Sequence, residues 1–194
     1  MEVTTQYQSN GPSDRFGYGV TLQARIVNHW YLDVSGLLRH LGYTEMTTVT
    51  TTTTQVLNGS TYQATTQTST SDNTNSRLID IPVLVRYYGT PKRPRSPRWF
   101  LEAGGTYRTV SDIRTSLLST DAEGNVTCCT NTADVAKNHT TVGAVVGAGI
   151  QFIDEFGIHV VPEFRFTRWK APVFESLSTT GRLNQIEVDL SITF

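Results

Sequence analysis

The chain of 194 residues carries sixteen Lys and Arg against seventeen Asp and Glu, and its formal net charge of -1 offers no basic excess to hold nucleic acid. Its length suits one domain over residues 1–194, and no stretch approaches the run of about 20 apolar residues that a membrane helix needs. A hydrophobic content of 38% resembles that of a soluble protein, but it is also compatible with a membrane barrel, which places apolar residues at every second position.

Residues 1–14, MEVTTQYQSNGPSD, alternate poorly and hold no basic stretch followed by an apolar one, so no secretory signal is read in them. They are expected to supply a truncated first strand and a loop. From there on, period-two alternation dominates and helical spacing is absent, which predicts an all-β fold. In RFGYGVTLQARIV the apolar side carries Phe16, Tyr18, Val20, Leu22, Ala24 and Ile26, and the other side Thr21, Gln23 and Arg25. WYLDVSGLLRHL sets Trp30, Leu32, Val34 and Leu38 against Tyr31, Asp33, Ser35 and Arg39. LIDIPVLVRYY sets Ile79, Ile81, Val83, Val85 and Tyr87 against Asp80, Leu84, Arg86 and Tyr88. WFLEAGGTYR sets Trp99, Leu101, Ala103 and Tyr107 against Glu102, Thr106 and Arg108. VGAVVGAGIQF and IHVVPEFRF continue the pattern with Ala144, Val146, Ile150 and Phe152, then with Val160, Phe164 and Phe166 opposite His159, Glu163 and Arg165. QIEVDLSITF closes it, with Ile186, Val188, Leu190, Ile192 and Phe194 opposite Glu187 and Asp189.

The connections differ in length. Short ones fall at residues 28–29 and 153–157 and a moderate one at 89–98, whereas long ones span 42–76 and 110–139, with an intermediate one near 170–182. Sorting of short turns to one end and long loops to the other is expected of a meander inserted through a membrane from one side. The threonine-rich run within 42–76 is expected to extend its hairpin as a ribbon.

Alternation alone does not say which face is enclosed, because a soluble barrel would turn the apolar face inward. Aromatic placement favours lipid outside. Near the short-turn end the apolar face carries Trp30, Tyr87, Trp99, Phe152 and Phe194, and near the other end Phe16, Tyr18, Tyr107 and Phe166, with aliphatic residues between. Two aromatic belts around an aliphatic band match the two membrane interfaces. Ten residues at about 3.3 Å each, tilted by roughly 40°, give about 25 Å of height, the apolar band of an outer-membrane barrel. The opposite face is then a lumen, where Asp33, Asp80, Glu102, Glu163, Glu187 and Asp189 are expected to pair with Arg25, Arg39, Arg86, Arg108 and Arg165, beside His159.

Catalytic signals are weak. His159 and Glu163 stand about 13 Å apart along one strand, and neither His40 nor His139 has an acid or serine placed beside it by spacing. The only cysteines, Cys128 and Cys129, are adjacent in a long loop and read as inert or as a loop staple, since two ligands make a poor metal site. The basic turn containing Lys92, Arg93, Arg95 and Arg98 reads as solvated. No cofactor and no metal are expected.

Taken together, LIDIPVLVRYYG, WFLEAGGTYR, VGAVVGAGIQF and the closing VDLSITF resemble the small bacterial outer-membrane β-barrel family that includes OmpX-like and PorT-like proteins, over residues 15–194. The resemblance implies an up-and-down antiparallel transmembrane barrel of about eight strands, with short periplasmic turns and long extracellular loops. It also implies that Val188, Leu190, Ile192 and Phe194 are read by the barrel-insertion machinery, and that the chain reaches the bacterial outer membrane after loss of a signal peptide. Such barrels have even strand numbers, yet seven clear segments are found, so residues 1–8 or an upstream segment must provide the remaining strand. The function expected is that of a non-enzymatic outer-membrane protein in contact with lipid, its lumen filled by ion pairs and its loops presented to an extracellular partner. The alternatives are a soluble β-barrel that binds an apolar ligand and a hydrolase carried on an outer-membrane barrel.

Overall fold

The computed structural model describes residues 2–10, 16–58, 60–90, 96–131, 136–175 and 182–193, apart from the side chains at 10, 57 and 129–131. Nine strands and no helix are found among them: β1 Glu2–Asn10, β2 Gly17–Val27, β3 Trp30–Leu57, β4 Ser60–Tyr88, β5 Arg98–Thr120, β6 Val126–Asn131, β7 Thr140–Ile153, β8 His159–Trp169 and β9 Asn184–Thr193. Hydrogen bonding runs β2-β3-β4-β5-β7-β8-β9, each strand antiparallel to the next. This is the up-and-down meander that the seven alternating segments predict.

The short connections are local in origin. Asn28 adopts a left-handed backbone (φ 39°) in the two-residue link that brings Val27 opposite Trp30, a conformation asparagine tolerates better than most residues. Gly157 (φ 82°) serves the β7–β8 turn, where its N–H donates to the Asp154 carbonyl at 3.1 Å.

The sheet curls until strands far apart along it meet across one face. Arg39 of β3 pairs with Glu187 of β9, although four strands separate them along the sheet, and Gln23 of β2 reaches Tyr88 of β4 at 3.1 Å. One face is therefore enclosed, and it holds the charged residues of the alternation. Val20, Leu22, Val85, Leu101, Val146 and Val188 lie on the other face and are exposed.

Beyond the curled wall, β3 and β4 continue as one hairpin to Leu57 and Ser60, so residues 42–76 form a ribbon rather than an irregular loop. The other long connection, 110–139, is also partly strand: β5 continues to Thr120 and β6 folds back on it. Of residues 1–14, Glu2–Asn10 take an unexpected place. β1 pairs with Thr44–Thr52 on the outer half of β3, in line with β2 rather than between β2 and β9. It widens the ribbon and does not complete the wall.

Within that ribbon Glu45 and Asp72 stand directly opposite each other, and Asp72 Oδ1 is buried with no hydrogen-bond partner. Burial, reinforced by the Glu45 charge, raises the Asp72 carboxyl above its ordinary range. The folded ribbon thus holds this proton more tightly than the unfolded chain, so the stabilisation is full below the ordinary carboxylate range and is lost as pH rises through the raised value. Asp72→Asn is expected to slow protease cleavage near residues 57–60 several-fold at pH 7, consistent with about 0.2–1 kcal/mol for like charges facing across strands. At pH 3 the variant and the parent should be cut at the same rate.

Candidate functional site: the enclosed face

The enclosed face is built in three layers. Nearest the short turns, Tyr88, Phe100 and Val161 are buried with Tyr31 packed against them, and the Tyr88 ring lies 5.0 Å from Tyr31 and 5.4 Å from Phe100. At the other end Tyr43, Leu78, Val110, Val173 and Phe174 form a second apolar cluster. Segment 171–174 folds over this mouth: Thr141 Oγ1 donates to the Ala171 carbonyl at 3.0 Å, Asn138 Nδ2 to that of Pro172 at 2.8 Å, and the Lys137 N–H to that of Val173 at 3.0 Å.

Between the two lie the charges, in two clusters. In the first, Arg86 donates through Nε and Nη2 to Glu102 Oε2 at 3.0 and 2.7 Å, and through Nη2 to Glu163 at 2.7 Å, with Asp33 at 3.4 Å. Arg165 contacts Glu102 at 2.8 Å, Glu163 at 2.6 Å and Asp189 at 3.7 Å. In the second, Arg108 grips Asp80 through two bonds of 2.6 and 2.7 Å, and Arg39 pairs with Asp80 at 3.0 Å and with Glu187. Bidentate, hydrogen-bonded pairing is what makes enclosed charge tolerable, since an arginine or carboxylate stripped of water costs several kcal/mol unless compensated.

Ring faces help to hold the arginines. Arg86 lies 4.1 Å above Phe100 and Arg108 3.8 Å above Trp169, whose Nε1 donates to Gln185 at 2.8 Å. Room for Glu102 comes from the facing strand, because a Cβ at Gly147 would stand 2.6 Å from Glu102 Oε1 and 2.9 Å from the Phe164 carbonyl oxygen.

Most of the residues anticipated for the ion-pair set meet here: Asp33, Arg39, Asp80, Arg86, Glu102, Arg108, Glu163, Arg165, Glu187 and Asp189. Two do not join it. Arg25 is exposed at the short-turn end, where it stands opposite Tyr31 and donates to the Asn28 carbonyl at 3.1 Å. His159 sits 2.9 Å from the Gln151 amide and contacts none of the acids in the two clusters. Of the aromatic residues singled out, Trp30, Tyr87 and Trp99 form a row on the outer face with ring centroids 5.0 and 6.0 Å apart. Tyr107 lies on the outer face farther along β5, Phe152, Tyr18 and Phe166 on that of β7, β2 and β8, and exposed Phe16 just before β2; Phe194 lies outside the described residues, as do Lys92, Arg93 and Arg95. Cys128 is disulfide-bonded. Phe100, Val161 and Trp169 were not anticipated on the inner side, although their place in the alternation with Glu102, Glu163 and Arg165 signals it.

No group of three or more His, Cys, Asp or Glu side chains fit to hold a metal ion occurs among the described residues. The charged layer is a set of ion-paired groups with most of its hydrogen-bonding capacity used internally. Such an arrangement ties the strands of the wall to one another.

Comparison with known proteins agrees with the fold. A family model described as outer membrane protein beta-barrel domain matches residues 3–168, and the chain belongs to that family. It is thus an all-β, up-and-down barrel protein of the outer membrane. No curated protein and no solved structure matches it.

Glu102 bridges Arg86 and Arg165, so its neutralisation leaves two enclosed guanidinium groups short of a partner. Glu102→Gln is expected to cost about 3–5 kcal/mol, and Glu175→Gln, in the exposed pair with Lys137, less than about 1 kcal/mol. Urea titration of the folded, detergent-solubilised protein checks both values.

Proposed function

We propose that this protein is a non-enzymatic bacterial outer-membrane barrel whose enclosed face is a filled lumen and whose ribbon and loops meet an extracellular partner. The observation that carries the reading is the inversion of polarity across the wall. Large apolar side chains point outward and are exposed on every wall strand, Val188 at 80%, while arginine and carboxylate groups are buried on the other face. Water-soluble proteins rarely expose so extensive an apolar surface, whereas lipid requires it.

In this reading the outer aromatic residues Trp30, Tyr87, Trp99 and Phe152 lie at one lipid interface, and Phe16, Tyr18, Tyr107 and Phe166 at the other. Val188, Leu190 and Ile192, together with Phe194, serve recognition by the barrel-insertion machinery. The lumen acts as a structural rod rather than a passage, since apolar layers stand at both ends of the paired charges. The polar ribbon of β1, β3 and β4 is the broadest surface outside the lipid and the natural place for a partner.

Boiled and unboiled samples in detergent, run on the same gel, test the barrel. The unboiled protein is expected to migrate differently from the boiled one and to precipitate when detergent is withdrawn. Solubility without detergent and no shift would instead favour a soluble barrel. In planar bilayers the inserted protein is expected to show no steady conductance, and stable open-channel currents would refute the filled lumen.

A further inference from the structure

The ribbon beyond the wall presents an unprotected strand edge. Between Glu45 and Asp72 the chain carries no charged residue and no proline, and from Leu37 opposite Asp80 to Leu57 opposite Ser60 the β3–β4 ladder runs without a register shift. Charge, proline and bulges are the usual means by which a sheet edge is kept from pairing with another chain, and this ribbon uses none of them. One of its two edges is occupied, since β1 lies along Thr44–Thr52 of β3. The other is open over part of its length. β5 takes up the edge of β4 only from Ser69 onward, and among the described residues no strand pairs with Ser60–Thr68 on that side. Ser60–Gln67 are all exposed.

The covered edge shows which kind of strand the ribbon accepts. β1 reads EVTTQYQSN, and its Thr, Gln and Tyr residues stand opposite threonines of β3, Thr4 against Thr50, Gln6 against Thr48 and Tyr7 against Thr47. The open segment, STYQATTQT, is built from the same residue types, so a second copy of it is the sort of neighbour this ribbon already holds. Full overlap of two such segments running in opposite directions sets Ala64 opposite Ala64, Tyr62 opposite Thr66 and Gln63 opposite Thr65. No like charges meet in that pairing, and Glu45 and Asp72 fall outside it.

Direction decides where the second copy stands. Two identical edges that close on each other about a two-fold axis run antiparallel. β4 runs from the ribbon tip at Ser60 down to Tyr88 at the short-turn end, and the ribbon continues the wall strands in register. Copies side by side in one membrane therefore offer each other parallel edges. Copies in two facing membranes offer antiparallel ones.

We propose that Ser60–Thr68 is a homophilic contact, which pairs with the same segment of a second copy held in a facing outer membrane. The inference names the partner of the ribbon in the function proposed above and rests on the barrel reading. Main-chain bonds between the two segments join the β1-β3-β4 ribbons of both copies into one continuous sheet. A single pair of edges this short binds weakly, but many copies facing one another across two surfaces add up to a firm attachment.

The test uses the 194-residue chain in phosphatidylcholine vesicles, in preparations whose ribbon is open to added protease. Light scattering is expected to show protein-bearing vesicles clustering at least about tenfold faster than protein-free ones, and two-colour mixing to show no clustering of protein-bearing with protein-free vesicles. Ala64→Lys and Ala64→Glu each set two like charges opposite one another across the contact. Vesicles bearing either variant alone should therefore stay dispersed, while a mixture of the two should cluster again. Three results would overturn the proposal and leave the barrel standing, provided the proteins keep their heat-dependent gel shift: no clustering by the parent chain, equal clustering with protein-free vesicles, or clustering by each variant alone as fast as by the parent. Dispersal of the Lys and Glu mixture under the same condition would also overturn it. A parent chain with no gel shift would bring down the barrel reading and this inference together.

Discussion

Everything in this molecule depends on keeping Arg86 and Arg165 neutralised away from bulk water. Each guanidinium is almost completely buried, and each reaches acids contributed by different strands: Asp33 from β3, Glu102 from β5, Glu163 from β8 and Asp189 from β9. Such a cluster cannot assemble within one hairpin. It forms only when the meander has curled far enough to bring β3, β5, β8 and β9 around a common centre, so the electrostatic requirement and the curvature of the sheet enforce each other. A planar guanidinium suits this task better than an ammonium, because its fork of donors can serve two or three carboxylates at fixed angles.

The apolar layers above and below make that network worth its desolvation. With Tyr88, Phe100 and Val161 at one end and Tyr43, Val173 and Phe174 at the other, water has little access from either mouth, and attraction between opposite charges is correspondingly stronger. The same arrangement carries a penalty, since any unmatched charge is felt strongly. An extra acid on the ribbon, by contrast, would be screened within about 10 Å by salt.

Much of this was legible in the sequence because a strand has one simple rule, alternation, and the chain obeys it over seven segments. The assignment of Asp80, Glu102, Arg108, Glu163 and Arg165 to one face followed from parity alone. What parity could not reveal was depth. Phe100 and Trp169 share a face with Glu102 and Arg165, yet whether an aromatic on the polar face is enclosed or sits at a rim depends on the tilt of neighbouring strands and on loops that fold back. Segment 171–174 is such a loop, and four residues outside any strand carry no alternation to show that Val173 and Phe174 would cap the mouth. Arg25 keeps its place in the alternation, opposite Tyr31, but lies at the exposed short-turn end, and parity carries no information on that. β1 went unplaced for a related reason: a short polar strand carries no apolar parity to say which edge it joins.

The ribbon shows how the same strand rule yields opposite surfaces in different surroundings. β3 runs for 28 residues, its pairing with β4 interrupted at Ser35 and Gly36, but its first third alternates Leu and Val with charge, whereas Thr47–Thr54 is almost entirely hydroxylated. In the wall, one side must satisfy lipid, so side chains differ sharply between faces. Beyond it both sides meet water, and threonine suits a two-sided strand because its β-branch favours the extended backbone while its hydroxyl remains solvated on either face. Pairing of β1 along the same segment then uses main-chain bonds that a hairpin alone would leave open at its edge. The change of composition along β3 marks where the protein leaves the lipid, and it does so without any change in backbone structure.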